Sequence, residues 1–319
     1  MILFISKINV FKEVIIMLTE YCIINNKLIE DKNGFPKVMV FTNPTEEEKR
    51  QIIEVYNIDE HTLNSSLDSN ELSRLDFEDE YTTLIFKSPK NYSGKDVLFF
   101  KASTLGVFQF ENTLIIVTSD EFFTFDKKLF AKITCFQDVI LKLLYQAIYH
   151  FMEHLKVINM ISDELENKIN KSMENKYLIN LFTLGKSLTY YLNAIDSNGV
   201  LIRKLKNYSS KLGFTEDNLE LIDDVLIENT QCYRQSEIYS TILGGMMDAR
   251  ASIVNNNLNF LMKKLTFITI GIMLPNLVIS AFSMNVSVPF EKSPYAFWII
   301  MLISLFSTII VFFYERKNK

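Results

Sequence analysis

Two runs of apolar residues without any charged side chain stand out near the C-terminus. They cover Leu265–Phe282 and Ala296–Phe313, with 18 residues in each. A helix needs roughly 17–25 such residues to cross the hydrocarbon core of a bilayer. Both runs therefore predict transmembrane helices, joined by a short loop that opens with Ser283-Met284-Asn285-Val286.

The pattern over residues 20–130 is different, because short runs of β-branched and aromatic residues alternate there with turn residues and helix-start signals. Five runs predict strands: Val38–Phe41, Tyr81–Phe86, Val97–Phe100, Leu105–Phe110 and Thr113–Val117. Two segments predict short helices: one beginning at Asn43-Pro44-Thr45-Glu46-Glu47-Glu48, and one over Asp59–Leu67. This interleaving indicates an α/β domain.

The strand pattern stops near Thr134, and helical periodicity replaces it. Three segments show this periodicity: 138–171, 176–206 and 217 onward. No proline lies between Pro89 and Pro275, so no proline breaks the third segment before the membrane. A helix from Asp217 to Phe282 would be about 100 Å long at 1.5 Å per residue. We expect it to form a stalk that packs on other helices.

These patterns together predict an α+β membrane protein with three parts. Residues 1–133 form a cytosolic α/β domain, and residues 134–264 form a helical stalk. Residues 265–319 form a transmembrane hairpin with a short extracellular loop and a basic cytosolic tail.

A line of mostly polar residues follows one face of the third helix at alternating steps of three and four. We call it the polar seam: Asp248, Ser252, Asn255, Asn259, Met262, Thr266, Thr269, Met273, Asn276, Ser280 and Ser283. A polar stripe in a membrane helix normally faces a protein interior or a water-filled path. Two spans cannot enclose water alone, so a pore would need several chains around one axis.

The alternative is that the hydroxyl and amide groups of the seam only hold helices together. Two features favour the pore. The seam continues outside the apolar run through Asn259, Asn255 and Asp248. It also alternates polar positions with methionines, and apolar constrictions in wet pores can gate by dewetting. In a symmetric ring Asp248 would form a carboxylate ring at the inner mouth, which attracts divalent cations.

Charged residues near the apolar runs indicate how the chain lies in the membrane. Lys263 and Lys264 precede the first run, and three basic residues follow the second: Arg316, Lys317 and Lys319. The loop carries only Glu291 and Lys292. The positive-inside rule therefore predicts a multi-pass protein of the plasma membrane, with both termini and the large body in the cytoplasm.

Composition narrows the class of protein further. With 33 Lys and Arg against 38 Asp and Glu, the formal net charge is −5, which argues against nucleic acid as a partner. The widely spaced Cys22, Cys135 and Cys232 indicate reduced thiols rather than a disulfide frame or a metal knuckle. We find no phosphate-binding loop, nucleophile triad or paired catalytic carboxylates. We therefore expect neither an enzyme nor an organic cofactor.

Two further pairs of residues allow a local interpretation. His150 and His154 are four residues apart on a predicted helix, a spacing that can bind zinc, but no third ligand is evident. We expect both to be solvated. Gly244 and Gly245 weaken the third helix, and either a flexing point during gating or a close approach of another helix would explain them.

The chain at this point resembles the CorA family of divalent-cation channels. The family pattern is a long stalk helix, a first span, a Gly-Met-Asn loop, a short extracellular loop, a second span and a basic tail. The matching segments are Met262-Lys263 with Leu265-Thr266, Pro275, Phe282–Asn285, Asn43–Glu48 and Ser73–Asp79. The resemblance extends from about residue 40 to residue 319.

The resemblance implies a funnel-shaped homopentamer in the lipid bilayer that conducts divalent cations. Asn285 would bind the hydrated ion at the outer mouth, and Asn259 would be the pore asparagine. Met262 and Leu265 would line a hydrophobic gate, with Asp248 as the acidic ring at the cytosolic entrance.

The resemblance also implies regulation by the transported ion. Mg²⁺ bound between cytosolic domains of neighbouring chains would hold the channel shut, and falling internal Mg²⁺ would release it. Asp224 lies where a stalk aspartate of the family contributes to that site. Its partner stays open among four acidic residues: Asp76, Glu78, Asp79 and Glu80. Glu291 resembles the family's extracellular acid.

One position departs from the family pattern, because Ser283 replaces the glycine of the loop motif. Glycine permits backbone angles and close approach that serine resists. The polar seam and the resemblance together predict passive, channel-type transport of divalent cations, with Mg²⁺ as the expected ion. Because of the serine, two alternatives stay open. One is transport of Zn²⁺, Co²⁺ or Ni²⁺; the other is a membrane protein that senses Mg²⁺ without conducting it.

Overall fold

The computed structural model describes residues 18–30, 38–90, 98–120, 124–126, 128–171, 175–284, 289 and 293–317. The chain packs as two compact units, Met1–Met247 and Asp248–Lys319. Each unit is described by itself. The predicted domain limits at residues 133 and 264 stay a prediction.

The first unit is built on a seven-stranded sheet. Its strands are β1 (Leu18–Ile24), β2 (Lys27–Glu30), β3 (Val38–Thr42), β4 (Arg74–Phe77), β5 (Thr82–Pro89), β6 (Ala102–Gln109) and β7 (Leu114–Thr118). Their order is β2-β1-β3-β7-β6-β5-β4. The β3–β7 pair is parallel, with Val38 opposite Leu114, and the other pairs are antiparallel.

Helices follow the order α1 (Glu46–Tyr56), α2 (Glu60–Leu67), α3 (Phe136–Lys171), α4 (Asn175–Asn207), α5 (Glu216–Phe282) and α6 (Ala296–Lys317). A short 3₁₀ turn, Leu129–Ala131, precedes α3. The predicted continuity of the third long helix is confirmed, because α5 runs without interruption for 67 residues with Pro275 inside it.

Both faces of the central strands are buried, which explains their continuous apolar sequence. Along β3 the side chains alternate between two cores, because successive residues of a strand point to opposite faces. Val38 and Val40 pack with residues of α3, α4 and α5. Met39 and Phe41 pack with Ile52 of α1 and with α2. The sheet is therefore the middle layer of the first unit.

One predicted strand is wrong. Residues 98–100 of the proposed strand Val97–Phe100 are not extended, and Leu98 has a φ of 64°. That angle turns the chain out of the sheet. The first predicted helix is confirmed, and its N-cap is Thr45. Thr45 and Glu48 form a reciprocal capping box, with the Thr45 amide donating to Glu48 Oε2 at 2.7 Å.

The buried Asn198 of α4 forms hydrogen bonds with strand β5 and with Ser73 at the edge of the sheet. Strand β4 pairs with β5 only as far as Ile85. Beyond that point the Lys87 amide donates to Asn198 Oδ1, and Asn198 Nδ2 donates to the Lys87 carbonyl oxygen, both at 2.8 Å. The Ser73 hydroxyl donates to the same Oδ1 at 2.7 Å. Asn198 thus satisfies backbone groups that the short β4 leaves unpaired.

The second unit contains the C-terminal part of α5 and the helix α6. Both carry a stretch long and apolar enough to cross a membrane. In the single chain the stretch of α5 is 0% buried and that of α6 is 11% buried. A core helix of a soluble protein would be mostly buried, so these exposures favour the two predicted spans.

Candidate functional site

The polar seam lies on one exposed face of α5. In the single chain its members from Asp248 to Ser283 are all exposed, and so is Leu265. The apolar members have exposed fractions of 62% for Met262, 58% for Leu265 and 63% for Met273. None of these side chains is used to fill the core of its own chain.

A different face of α5 packs against α6. Within the apolar stretch the half-buried positions are Phe267, Gly271, Pro275, Val278 and Phe282. A Cβ built on Gly271 would lie 4.0 Å from Val311 Cγ1 of α6, which identifies this face as the contact between the helices. With 3.6 residues per turn, the packed face and the polar seam point roughly 180° apart.

This opposition decides part of the question left open by the sequence. The hydroxyl and amide groups of the seam do not hold α5 to α6 of the same chain. A small residue at the helix contact is the usual signal for close helix approach in membranes. Gly271 is not among the residues predicted from the sequence, although a glycine inside an apolar run is such a signal.

The threonines of the seam present oxygen atoms rather than hydrogen atoms to their surroundings. Thr266 Oγ1 donates to the Met262 carbonyl oxygen, and Thr269 Oγ1 donates to the Leu265 carbonyl oxygen, both at 2.9 Å. Because each hydroxyl proton is used within the helix, the outward lone pairs act as acceptors. Acceptors suit the water shell of a hydrated cation, whose hydrogen atoms point outward.

The amides and the carboxylate of the seam extend this surface. Asn255, Asn259 and Asn276 are exposed, and Asp248 is exposed at the first position of the second unit. Amide groups can accept from bound water and donate to it. The seam therefore combines a carboxylate, amides and hydroxyl oxygens with isolated apolar positions.

Ser283 adopts its place without a special backbone conformation. Its φ is not among the positive values found in the described residues. Its hydroxyl donates to the Ser280 carbonyl oxygen at 3.0 Å, and its amide approaches the same oxygen at 3.2 Å. Ser283 closes the last turn of α5, so the backbone angles available only to glycine are not needed here. Met284 is exposed. Asn285 and Glu291 lie outside the described residues, so their predicted roles stay predictions.

Asp224 is exposed on α5 in the first unit, while its neighbour Asp223 contacts Lys206 Nζ at 2.5 Å. Of the four candidate partners, Asp76 is half-buried and Glu78, Asp79 and Glu80 are exposed. Within the described part of the chain, no three His, Cys, Asp or Glu side chains come together as a metal site. The described residues of one chain therefore supply no such cluster at Asp224, and its predicted role stays a prediction.

The prediction of solvated histidines is wrong for His154. Its side chain is 8% exposed, and its Nδ1 shares a hydrogen bond of 2.6 Å with the Tyr191 hydroxyl. Burial lowers the pKa of His154 to about 4, with a smaller contribution from His150. Burial also lowers the pKa of His150. His154 is therefore a neutral part of the packing between α3 and α4, while His150 is half-buried and its ring lies against that of His154 on the same helix.

Among the described residues, the glycine pair of α5 is not a place of close contact. A Cβ built on Gly244 or on Gly245 would meet none of their atoms within 4 Å. Of the two interpretations offered by the sequence, the close approach of another helix therefore finds no support among the described residues.

Comparison with known proteins gives the chain its family. The family model described as CorA-like Mg²⁺ transporter protein matches residues 39–317. The cobalt/magnesium transport protein CorA of Methanocaldococcus jannaschii is 25% identical over 287 residues, which cover 86% of this chain and 89% of the relative.

Solved structures share the fold. The complete structure of the CorA magnesium transporter from Methanocaldococcus jannaschii has a TM-score of 0.77 and 21% identity, covering 95% of this chain and 98% of that chain. The full-length CmaX protein has a TM-score of 0.67 and 16% identity, covering 95% of this chain and 97% of that chain. The predicted fold class is therefore confirmed: a soluble α/β domain, a long helix and two C-terminal apolar helices.

The resemblance drawn from the sequence is confirmed as well. Because the family match runs through the sheet, the long helix and both apolar helices, this chain belongs to the CorA-like Mg²⁺ transporter family.

Proposed function

We propose that the chain forms a passive channel for divalent cations, with Mg²⁺ as the main ion, through an oligomeric pore lined by α5. The observation that carries this proposal is the polar seam on the face of α5 that points away from α6. A polar face that its own chain leaves uncovered is suited to a water-filled path in an assembly. The family membership and the cobalt/magnesium transport protein named above support the choice of ion.

The seam suits an ion that keeps most of its water. Mg²⁺ gives up its water shell reluctantly and rarely takes an all-protein cage. Outward hydroxyl oxygens of Thr266 and Thr269, and the amides of Asn259 and Asn276, hydrogen-bond to water without binding the bare ion tightly. Asn285 at the outer mouth would make the first contact with the hydrated ion.

We propose that apolar side chains of the seam close the channel. Met262, Leu265 and Met273 are large, exposed and unused by the core of the chain. Around a symmetry axis, such side chains would form rings narrow enough to exclude water. Asp248 below them would concentrate cations at the cytosolic entrance, and Asp224 would bind regulatory Mg²⁺ between neighbouring chains.

The assembly is a homo-oligomer, which we take to be a pentamer as in the family resemblance. Two spans per chain cannot surround a water path, so several copies must share one. The basic residues that flank the spans support a topology with both termini in the cytoplasm. In this role the protein is a transporter and not an enzyme, and it uses no organic cofactor.

Mg²⁺ uptake by proteoliposomes carrying the purified protein tests the proposal. Three consecutive residues of α5 are asparagines, Asn255, Asn256 and Asn257, and only Asn255 belongs to the seam. We expect Asn259→Leu and Asn255→Leu to reduce uptake by on the order of tenfold, because each removes a hydrogen-bonding group from the water path. Asn256→Leu is the matched control and should conduct as the wild type does. Equal uptake by all four proteins would refute the assignment of the seam.

Ser283→Gly belongs in the same experiment. The ordinary backbone of Ser283 and its hydrogen bond to Ser280 favour conduction by the wild type. If only Ser283→Gly conducts, the chain is a Mg²⁺ sensor and the channel proposal fails. If the wild type carries Zn²⁺, Co²⁺ or Ni²⁺ in preference to Mg²⁺, the pore stands and the choice of ion is wrong.

A further inference from the structure

A cavity of about 290 Å³ lies in the first unit between α4 and the strands β5 and β6. Its lining includes Ser69, Asn70, Lys87, Phe99, Lys101 and Asn193. The geometry points to a binding site for a small phosphate-bearing anion, distinct from the ion pathway. The site belongs wholly to the first unit, so it does not depend on the proposed channel.

Lys87 is the central group of this cavity. The residue is only 4% exposed, yet it carries an ammonium group. Its Nζ donates to the Ser69 carbonyl oxygen at 2.7 Å. No other hydrogen bond of this ammonium is found among the described residues, although an ammonium has three N–H groups to donate. A buried charge with one neutral partner is costly, and an anion in the cavity would satisfy it.

Two more lysines add positive charge near the cavity: Lys101 lines it, and Lys186 contacts two of the aromatic rings that line it. The Nζ atoms of Lys101 and Lys186 each lie 5.2 Å from the ring centroid of Phe99. Lys186 Nζ is also 5.9 Å from the ring centroid of Tyr190. Cations held against aromatic rings are kept near one position. Together with Lys87 they bring three ammonium groups to or beside this cavity, in a chain whose net charge is −5.

The carboxylates nearest to Lys87 are occupied elsewhere. Asp68 and Glu71 both attract the Lys87 ammonium electrostatically, without a hydrogen bond. Asp68 Oδ1 accepts from the Asn70 amide at 2.9 Å, and Glu71 Oε1 pairs with Arg74 Nη1 at 3.0 Å. Neither carboxylate is hydrogen-bonded to Lys87 Nζ, so the ammonium remains available to a ligand.

The residue types favour phosphate over carboxylate. Carboxylates are best matched by the planar fork of arginine, whereas lysine binds phosphate as a point charge. The described lining contains lysines and no arginine. The amides of Asn70 and Asn193 can donate to further phosphate oxygens. The volume is close to the lower limit for small-molecule pockets, which suits inorganic phosphate or a small organic phosphate rather than a polymer.

Equilibrium binding to the full-length protein in detergent, in Mg²⁺-free buffer, tests the site. The probes are inorganic phosphate and adenosine monophosphate. We expect saturable binding of one probe molecule per chain. Tighter binding of the nucleotide would identify an organic phosphate as the ligand, and equal binding would identify free phosphate.

Variants of two lysines make the test specific. Lys87→Met removes the buried charge and keeps the length of the side chain, and we expect it to weaken binding at least tenfold. Lys101→Gln changes an exposed residue, so folding is not at risk, and it should weaken binding severalfold. Lys211→Gln is the matched control, because Lys211 lies 3.7 Å over the Phe77 ring and does not line the cavity.

Either of two results would overturn the proposal: no saturable binding of either probe, or binding that both cavity variants leave unchanged. Mg²⁺ uptake by the same variants, measured without phosphate, should equal that of the wild type. Loss of binding with intact uptake therefore separates this proposal from the proposed channel function.

Discussion

His154 is kept neutral by its surroundings. The Tyr191 hydroxyl lies 2.6 Å from Nδ1. Packing between α3 and α4 leaves the His154 side chain only 8% exposed, so water cannot solvate a charged imidazole well. Burial also raises the pKa of Tyr191 well above its ordinary value, so both partners stay uncharged at neutral pH. The free energy of unfolding should therefore depend on pH through His154.

The sign of this dependence follows from where each state binds a proton. The pKa of His154 falls from 6.5 to about 4 on folding. Below pH 6.5 the unfolded chain binds the proton first, so stability is lost as the pH falls toward 4. We expect a loss of about 2 kcal/mol between about pH 7 and pH 5 from this residue. His154→Asn, which keeps an amide near the position of Nδ1, should show a smaller loss of thermal midpoint over that range.

The control for this experiment is His61→Gln, which changes an exposed histidine of α2. It should retain the pH dependence of the wild type. If the thermal midpoint falls by the same amount in His154→Asn and in the wild type over this pH range, the assignment of a buried neutral His154 is wrong.

At the scale of elements, helix contacts within the second unit rest on a small residue. The Cβ built on Gly271 would make an ordinary contact of 4.0 Å with Val311, so one methyl group fits there and a larger side chain does not. We expect Gly271→Ala to fold as the wild type does. Gly271→Leu should push α5 and α6 apart and destabilise their pairing by roughly 1–3 kcal/mol. Thermal unfolding in detergent measures the difference.

Gly245→Leu provides a matched control, because a Cβ there would meet no atom of the described residues within 4 Å. We therefore expect a larger side chain at Gly245 to leave the α5–α6 pair intact. An equal effect of leucine at both glycines would show that lost helix flexibility, rather than the contact with Val311, controls stability.

The long helices could be predicted from the sequence because their periodicity extends over many turns. The strands β1, β2 and β4 were missed for physical reasons. Strand β1 contains Glu20, which is 8% exposed, and β2 has only four residues, of which three are exposed. Strand β4 carries Arg74 and Asp76 at alternate positions. Such segments become strands because a neighbouring strand offers backbone partners, which local sequence does not reveal.

The candidate site also has features that could be predicted from the sequence and features that could not. The polar seam could be predicted, because all its members lie on one helix at regular steps. The packed face opposite to it could not, since its identification needs the contact between Gly271 and Val311. The pairing of Asn198 with Lys87 joins residues 111 apart in sequence, and no local pattern connects them. The site at Asp224 stays a prediction, because the resemblance implies that it lies between two chains and one sequence does not describe the second.

At the scale of the whole molecule, the orientation in the membrane can be tested with cysteine chemistry. Ser293 lies in the loop between the spans, and Cys135 is a half-buried native thiol of the first unit. We expect Ser293→Cys to react with a membrane-impermeant maleimide in intact cells. The wild type should react only after lysis, through Cys135. Labelling of the wild type in intact cells would place the first unit outside and reverse the proposed topology.

Regulation by Mg²⁺ gives a second prediction at this scale. If Asp224 binds Mg²⁺ between chains, the ion should protect the full-length protein from proteolysis. We expect Asp224→Ala to raise the Mg²⁺ concentration needed for half-protection by on the order of tenfold.

Asp223→Ala is the control for this prediction, because Asp223 already pairs with Lys206 within the chain. It should be protected as the wild type is. Identical protection of all three proteins would remove Asp224 from the regulatory site.

The polar seam also governs what happens to a newly inserted chain before it meets another copy. Alone in a bilayer, the chain turns this face toward lipid tails. Thr266 and Thr269 tolerate that exposure, because their protons are bound to carbonyl oxygens of the same helix. The side-chain amide of Asn276 has no hydrogen bond among the described residues, and an amide left in hydrocarbon costs on the order of 2 kcal/mol or more. Each contact that removes this amide from lipid would therefore be favourable, so in the proposed oligomer the bilayer itself would drive the subunits together.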